Sequence, residues 1–313
     1  MAHWGRVQIL KFKMTANASA STPVIEPGFL VNTEWLAQNL HRPDLRLFDC
    51  SATMVVDPVI KQRVQPERAA FEAAHIPGAQ FIDIDAQLSD RHHPIHLMLP
   101  PPDAFKAAVE ALGIRRDSIV VIYSTGTPWW ATRVWWMLRV YGFTNAHLLD
   151  GGLAKWQVEG RGVEQGPVEA PAPGEFSIAQ PLPYVAARED VERALHAPKV
   201  RLINALRPAQ YSGEEMPRKG RPGHIPSSVN VPAASLLDGA SGELLDDAAL
   251  RDRFAAAGVG PERAVIAYCG GGVSASLVVF ALMKLGHPDV RLYDASLGEW
   301  GSAPELPMQV EGR

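Results

Sequence analysis

Residues Ala264 to Trp300 read AVIAYCGGGVSASLVVFALMKLGHPDVRLYDASLGEW. A short apolar run, a cysteine, three glycines and a long apolar stretch follow one another. That is the pattern of a buried parallel strand passing through a tight turn into a helix. The same order stands earlier in the chain, where Ile119 to Trp156 reads IVVIYSTGTPWWATRVWWMLRVYGFTNAHLLDGGLAKW. Upstream of each lies a matching segment, AHIPGAQFIDID from Ala74 to Asp85 and GHIPSSVNVP from Gly223 to Pro232. His75 and His224 are 149 residues apart, Tyr123 and Tyr268 145, and Trp156 and Trp300 144. Anchors that agree over such a distance mark duplicated domains, not a short solenoid repeat.

Each copy alternates short strands with helices. Leu45 to Phe48, Ile119 to Tyr123 and His147 to Leu149 read as buried strands of the first copy. Val200 to Ile203, Ala264 to Tyr268 and Val290 to Tyr293 take those places in the second. Pro102 to Leu112 and Asp247 to Ala257 read as helices, stopping at Gly113 and Gly258, and an apolar helical stretch runs from Leu277 to Leu285. The expected class is α/β, two domains that are each a mostly parallel sheet with helices on both faces. The domains span 29–162 and 184–313, with a Pro/Gly-rich linker over 163–183 that carries Pro167, Pro171, Pro173, Pro181 and Pro183. Residues 1–28, rich in Ala, Ser, Thr and Pro towards Pro27, read as a poorly ordered extension without an export signal, Met14 being an alternative start.

Composition narrows the partners. The chain has 313 residues, 47% hydrophobic and 20% charged, with a formal net charge of -4. Nothing resembles the concentrated basic face that nucleic acid requires, so no nucleic-acid partner is expected. No uncharged apolar run approaches the ~20 residues of a membrane span, so no membrane partner is expected either. Two cysteines cannot build a disulfide framework or a paired-ligand zinc site. We expect a cytoplasmic protein with no metal and no cofactor.

Cys269 is the chemical candidate. Ligands of parallel α/β sheets gather where strand ends meet helix starts, and Cys269 stands at such a place. Gly270, Gly271 and Gly272 let several backbone N–H groups turn inward, and the helix dipole adds to that field. A thiol there is expected to lose its proton below the usual ~8.5 and act as a nucleophile. The first copy supplies a control, because Ser124 follows its strand-ending tyrosine and Pro128, Trp129 and Trp130 replace the glycines. That copy is expected to lack the chemistry.

The chain resembles the tandem-domain rhodanese family, which includes thiosulfate and 3-mercaptopyruvate sulfurtransferases. The resemblance covers both halves, from LVNTEWLAQNL (Leu30 to Leu40) to LYDASLGEW, and rests on TRVWWMLRVYGF, LLDGGLAKW and YCGGGVSA. It implies two tandem rhodanese-like domains, the first non-catalytic and the second catalytic. It implies a persulfide on Cys269 cradled by Gly270, Gly271, Gly272, Val273 and Ser274. Sulfur would come from a small-molecule donor and pass to a thiol such as thioredoxin or glutathione, or to cyanide. The neutral loop leans towards the mercaptopyruvate type, whose substrate-binding positions match Arg218 and Asp85. Other positions depart from that pattern. Gly271 stands for a relay hydroxyl, Leu97 for its histidine with His96 one place early, Gln210 for a second arginine, and Asn204 with Ala205 and Leu206 for Asp-Ala-Arg, Arg207 being displaced by one.

Cys50 reads as a buried small hydrophobe. His92, His93 and His96 read as a solvated loop near the domain interface, because Pro94 breaks the helix a metal pair would need. His75 and His224 read as structural parts of a repeated turn, and Trp129, Trp130, Trp135 and Trp136 as packing. Lys219 and Arg221 stand behind Arg218 as substrate cations. Two other functions compete: a cysteine phosphatase, which lacks its arginine because Ala275 occupies the sixth position after Cys269, and a non-catalytic sulfur-binding or sensing module.

Overall fold

The computed structural model describes residues 28–57, 61–178, 182–216 and 220–311. The extension expected over 1–28 therefore lies outside the described residues except for Gly28, and Arg218 lies outside them too.

Twelve strands among the described residues are numbered in chain order. The first half holds β1 (Leu30–Val31), β2 (Leu45–Asp49), β3 (Ala52–Asp57), β4 (Lys61–Pro66), β5 (Gln80–Phe81), β6 (Ile119–Tyr123) and β7 (Ala146–Leu149). The second holds β8 (Val185–Ala186), β9 (Val200–Asn204), β10 (Val229–Asn230), β11 (Ala264–Tyr268) and β12 (Val290–Tyr293). The first sheet has the order β1-β7-β6-β2-β5 and the second β8-β12-β11-β9-β10, with every neighbouring pair parallel. The duplication read from the sequence is thus a duplication of topology. All five residues of β6 are buried, as are four of the five in β11. This double-sided burial explains why both read as continuous apolar runs rather than alternating ones.

The hairpin β3–β4 breaks the symmetry. It is antiparallel, pairs Ala52 with Pro66 and Asp57 with Lys61, and is absent from the described part of the second half. The segment after the helix Gly152–Val158 also departs from a plain linker picture. Phe176 is buried in the first core, and a Cβ on Gly174 would stand 2.0 Å from the carbonyl oxygen of Ile114. Residues 163–178 are a strap laid on the first domain, tied by Gly166 to Glu72 and by Gly174 to Glu110 through backbone hydrogen bonds of 2.7 Å each.

The two halves share one hydrophobic core. The helices Trp129–Val140 and Val273–Lys284 pack against each other, and the edge of one ring meets the other where Trp135 and Phe280 lie 4.8 Å apart. The indole N–H of Trp135 donates to the Ala146 carbonyl and that of Trp136 to the Tyr184 carbonyl, so these tryptophans pack with their polar atoms satisfied. Thr132 and Ser276 share a hydroxyl hydrogen bond of 2.7 Å at the centre of the contact. No described helix is long and apolar enough to cross a membrane.

Candidate active site

β11 ends at Tyr268, whose hydroxyl accepts the N–H of Ile225 and bonds to Ser228 Oγ at 2.8 Å. Burial drives this phenol's pKa well up, so it is a neutral anchor for the strand end. Cys269 follows, 2% exposed, and only Gly270, Gly271 and Gly272 separate it from the helix that starts at Val273. The turn is shorter than the sequence suggested. Val273 and Ser274, expected as parts of the cradle, form the first helical turn, whose amides have no partner within the helix.

The three glycines do different things. Gly272 has φ of 76°, and a Cβ there would stand 2.6 Å from Asp294 Oδ1 and 3.0 Å from Arg133 Nη1, so both conformation and packing demand glycine. Gly270 and Gly271 are at negative φ, and a Cβ on either would meet nothing within 4 Å. Among the described residues, the amides of Gly270, Gly271 and Gly272 donate to no acceptor. Free amides beside a helix start form a concavity suited to negative charge.

A second layer, unmarked by any local motif, holds this loop from behind. The Cys269 N–H donates to Ser296 Oγ at 3.0 Å, and that hydroxyl donates to the Tyr293 carbonyl at 2.8 Å. Ser296 has φ of 50°, a conformation that costs a non-glycine residue about 1–2 kcal/mol. The Cys269 and Gly270 carbonyls accept the N–H groups of Leu297 and Gly298. Asp294 accepts the Leu99 N–H at 2.8 Å and an Arg133 N–H, while the same guanidinium donates to the Leu97 carbonyl. Arg133, fully buried in the first domain, thus braces the Cys269 turn of the second.

The remaining expected residues fall out as follows. Asp85 lies half-buried in the first turn of the short helix Ile84–Gln87, and no hydrogen bond or ion pair joins it to the described part of the Cys269 loop. Leu97, in the place of the relay histidine, is a buried residue with φ of 67° whose carbonyl caps Arg133, and His96 beside it is exposed. His92 and His93 are exposed on the same loop, and no group of three metal-ligating residues occurs among the described residues. Ile95 of this loop stands 3.2 Å from where a Cβ on Gly298 would be, bringing the first domain to the rim of the site. Gln210 is half-buried, and Arg207 pairs with Glu215 at 2.7 Å on the surface. Arg221, a fallback substrate cation, instead donates to the Gly301, Trp300 and Ala303 carbonyls and closes the end of the helix Ser296–Trp300. Asn204 is buried, accepting the Leu206 N–H through Oδ1.

In the first domain, Ser124 donates to the Thr127 carbonyl at 2.6 Å inside a turn of five residues, Ser124 to Pro128, against four in the second. Cys50 is buried, bonds to the Tyr123 carbonyl, and burial pushes its thiol pKa well up, as suits a core residue. His75 and His224 are buried equivalents that stack on Phe71 and Tyr211 and bond through Nδ1 to the carbonyls of those residues at 2.8 Å.

Comparison with known proteins gives a consistent picture. The profile of the rhodanese-like domain matches residues 32–159 and 187–303. The 3-mercaptopyruvate sulfurtransferase of Escherichia coli strain K12 is 38% identical over 283 residues, covering 90% of this chain and 98% of that protein. The mitochondrial thiosulfate/3-mercaptopyruvate sulfurtransferase 1 of Arabidopsis thaliana is 33% identical over 317 residues, covering 94% of this chain and 80% of its own length. The crystal structure of SseA from Escherichia coli, described as a 3-mercaptopyruvate sulfotransferase with the rhodanese fold, superposes with a TM-score of 0.76 at 35% identity, covering 86% of this chain and 99% of that one.

Proposed function

Because the chain belongs to the rhodanese-like domain family and is a sulfurtransferase, we propose that Cys269 carries the transferred sulfur as a persulfide and that the donor is 3-mercaptopyruvate. The observation that carries the reading is the turn itself. Cys269 ends a buried parallel strand and heads a helix, beside amides of Gly270, Gly271 and Gly272 that serve no described acceptor. Those amides, with Val273 and Ser274 in the first turn, stabilise the anionic sulfur before and after transfer.

The thiolate of Cys269 attacks the donor sulfur. The carbon–sulfur bond breaks, its electron pair leaves on the pyruvate enolate, and a proton completes pyruvate. The outer sulfur of the Cys269 persulfide is then attacked by a thiolate acceptor, of thioredoxin or glutathione, or by cyanide. The sulfur–sulfur bond breaks and the Cys269 thiolate returns. Arg218 binds the donor carboxylate in this scheme and Asp85 completes the donor site. The relatives named as 3-mercaptopyruvate sulfurtransferases and the neutral loop support that donor. Arg221, spent on three carbonyls, supplies no second cation.

Intact-mass spectrometry after incubation with 3-mercaptopyruvate or thiosulfate tests the reading. The expected result is an adduct of about 32 Da, one sulfur, on the wild type and none on Cys269→Ser. Adduct formation without turnover to a thiol would leave the sulfur-binding module instead, and no adduct from any donor would end the enzyme mechanism stated here.

A further inference from the structure

The two domains face each other through reciprocal contacts, as in an isologous dimer interface, but one contact lacks its counterpart. The helix Asp247–Ala256 begins 145 residues after the helix Pro102–Ala111, and the helix Val273–Lys284 begins 144 after Trp129–Val140. By these offsets Leu99 corresponds to Leu244, Leu97 to Gly242, Arg133 to Leu277, Trp136 to Phe280 and Asp150 to Asp294. The Leu99 N–H donates to Asp294 across the interface, and the Leu244 N–H donates to Asp150 Oδ1 at 3.1 Å in return. Arg133 donates to Asp294 and to the Leu97 carbonyl, with its guanidinium carbon 4.7 Å from the centre of the Trp136 ring. Leu277 can make neither hydrogen bond to Asp150 or Gly242.

A cavity of about 110 Å³ occupies this position. Asp150, Gly242, Leu244, Leu277 and Phe280 line it, at the carboxyl edge of β6 and β7 above Ser124. We propose that this cavity is a binding site for a small guanidinium compound with a short alkyl stem, held by the Asp150 carboxylate and the Gly242 carbonyl against the Phe280 ring.

The chemistry matches that ligand in three ways. A planar guanidinium donates to a carboxylate and a carbonyl together, as Arg133 does in the other half. Phe280, which lines the cavity, holds the position from which Trp136 makes its cation–π contact with Arg133. The volume suffices, since a cavity of about 150 Å³ takes up benzene, which is larger than a guanidinium head. The local charges leave Asp150 in need of a cation. Lys155 is paired to Glu243 and Lys284 to Asp247, and burial together with Glu243 raises the pKa of Asp150 against the opposing pull of both lysines.

Titration with methylguanidinium chloride, followed by saturation-transfer NMR of the ligand methyl group, tests the site. Saturable binding with Kd on the order of 1 mM is expected for so small a ligand. It should weaken about tenfold or more in Asp150→Asn and vanish in Leu277→Arg. The second variant carries an independent readout, because Leu277→Arg places a guanidinium where the fold has room for one. It should stay folded within a few degrees of the wild-type melting temperature, whereas Leu282→Arg, at a fully buried position of the same helix, should not. Non-saturable binding to the wild type, equal binding to Asp150→Asn, or Leu277→Arg unfolding as completely as Leu282→Arg would each overturn the assignment. None of these readouts depends on sulfur transfer.

Discussion

Replacing Arg133 by methionine should expose how much the Cys269 turn owes to the first domain. The side chain is fully buried, and Asp294 opposite it is 11% exposed. Methionine fills most of the stem volume but removes both charge-assisted donations, to Asp294 and to the Leu97 carbonyl. Asp294 would keep only the Leu99 N–H. An ion pair at contact distance is worth about 4 kcal/mol at an effective dielectric near 20, and breaking a buried pair by removing one partner costs about 3–5 kcal/mol. At roughly 2–4 °C per kcal/mol for a protein of this size, Arg133→Met should melt about 6–20 °C lower in calorimetry or circular dichroism. The double variant Arg133→Met with Asp294→Asn leaves no uncompensated charge and should recover at least half of that loss. Gly272 packs on both partners, so the single variant should also load sulfur more slowly. A single variant melting within about 2 °C of wild type, or a double variant no better than the single, would refute the reasoning.

Two more changes test the copies against each other. Ser296→Gly adopts the conformation that Gly152 holds in the first copy, with φ of 54° against 50°. It relieves about 1–2 kcal/mol of backbone strain but leaves the Cys269 N–H without its acceptor, a loss of about 1–3 kcal/mol. The melting point should therefore move little while the rate of sulfur loading, read by quenched-flow mass spectrometry, falls; an unchanged rate would remove Ser296 from the site. Asp49→Asn copies the second domain, where Asn204 accepts the Leu206 N–H as Asp49 accepts that of Ser51, both at 2.8 Å. Burial raises the folded pKa of Asp49 above its ordinary 3.8, so the folded state holds the proton more tightly and stability falls as pH rises from that value through the raised one. The asparagine variant should show a shallower decline of melting temperature over that window and equal or greater stability at pH 7, and an unaltered slope would show that Asp49 does not contribute.

The parallel strands were legible because burial on both faces leaves an unbroken apolar run that no solvent-facing residue interrupts. β6 and β11 match their expected spans residue for residue. β3 and β4 were not legible, because they lie outside the repeat and carry no clean pattern of burial: Ala52 and Val64 are buried, while Met54 and Val56 are exposed. The nucleophile candidate was legible because its glycines are local in sequence. What positions it was not. Ser296 lies 27 residues beyond Cys269, and Arg133 braces Asp294 from 161 residues away. Such contacts carry no local pattern, and only the recurrence of Asp150 and Asp294 after β7 and β12 marks one end of them.

The chemistry proposed for Cys269 lacks more than one support at the equivalent turn of the first domain. A lost cysteine at Ser124 is only one of the differences. The first turn is a residue longer, Ser124 is tied to the Thr127 carbonyl, Gly152 offers no hydroxyl where Ser296 does, and Leu277 offers no cation where Arg133 does. Each removes a support that the Cys269 turn uses, and the last removes it by way of the partner domain. The first domain has therefore become the brace of the second. Its helix Trp129–Val140 supplies the buried arginine against which Gly272 is packed. The asymmetry is reciprocal: the second domain returns an apolar side chain, and the space that this leaves beside Asp150 is the cavity.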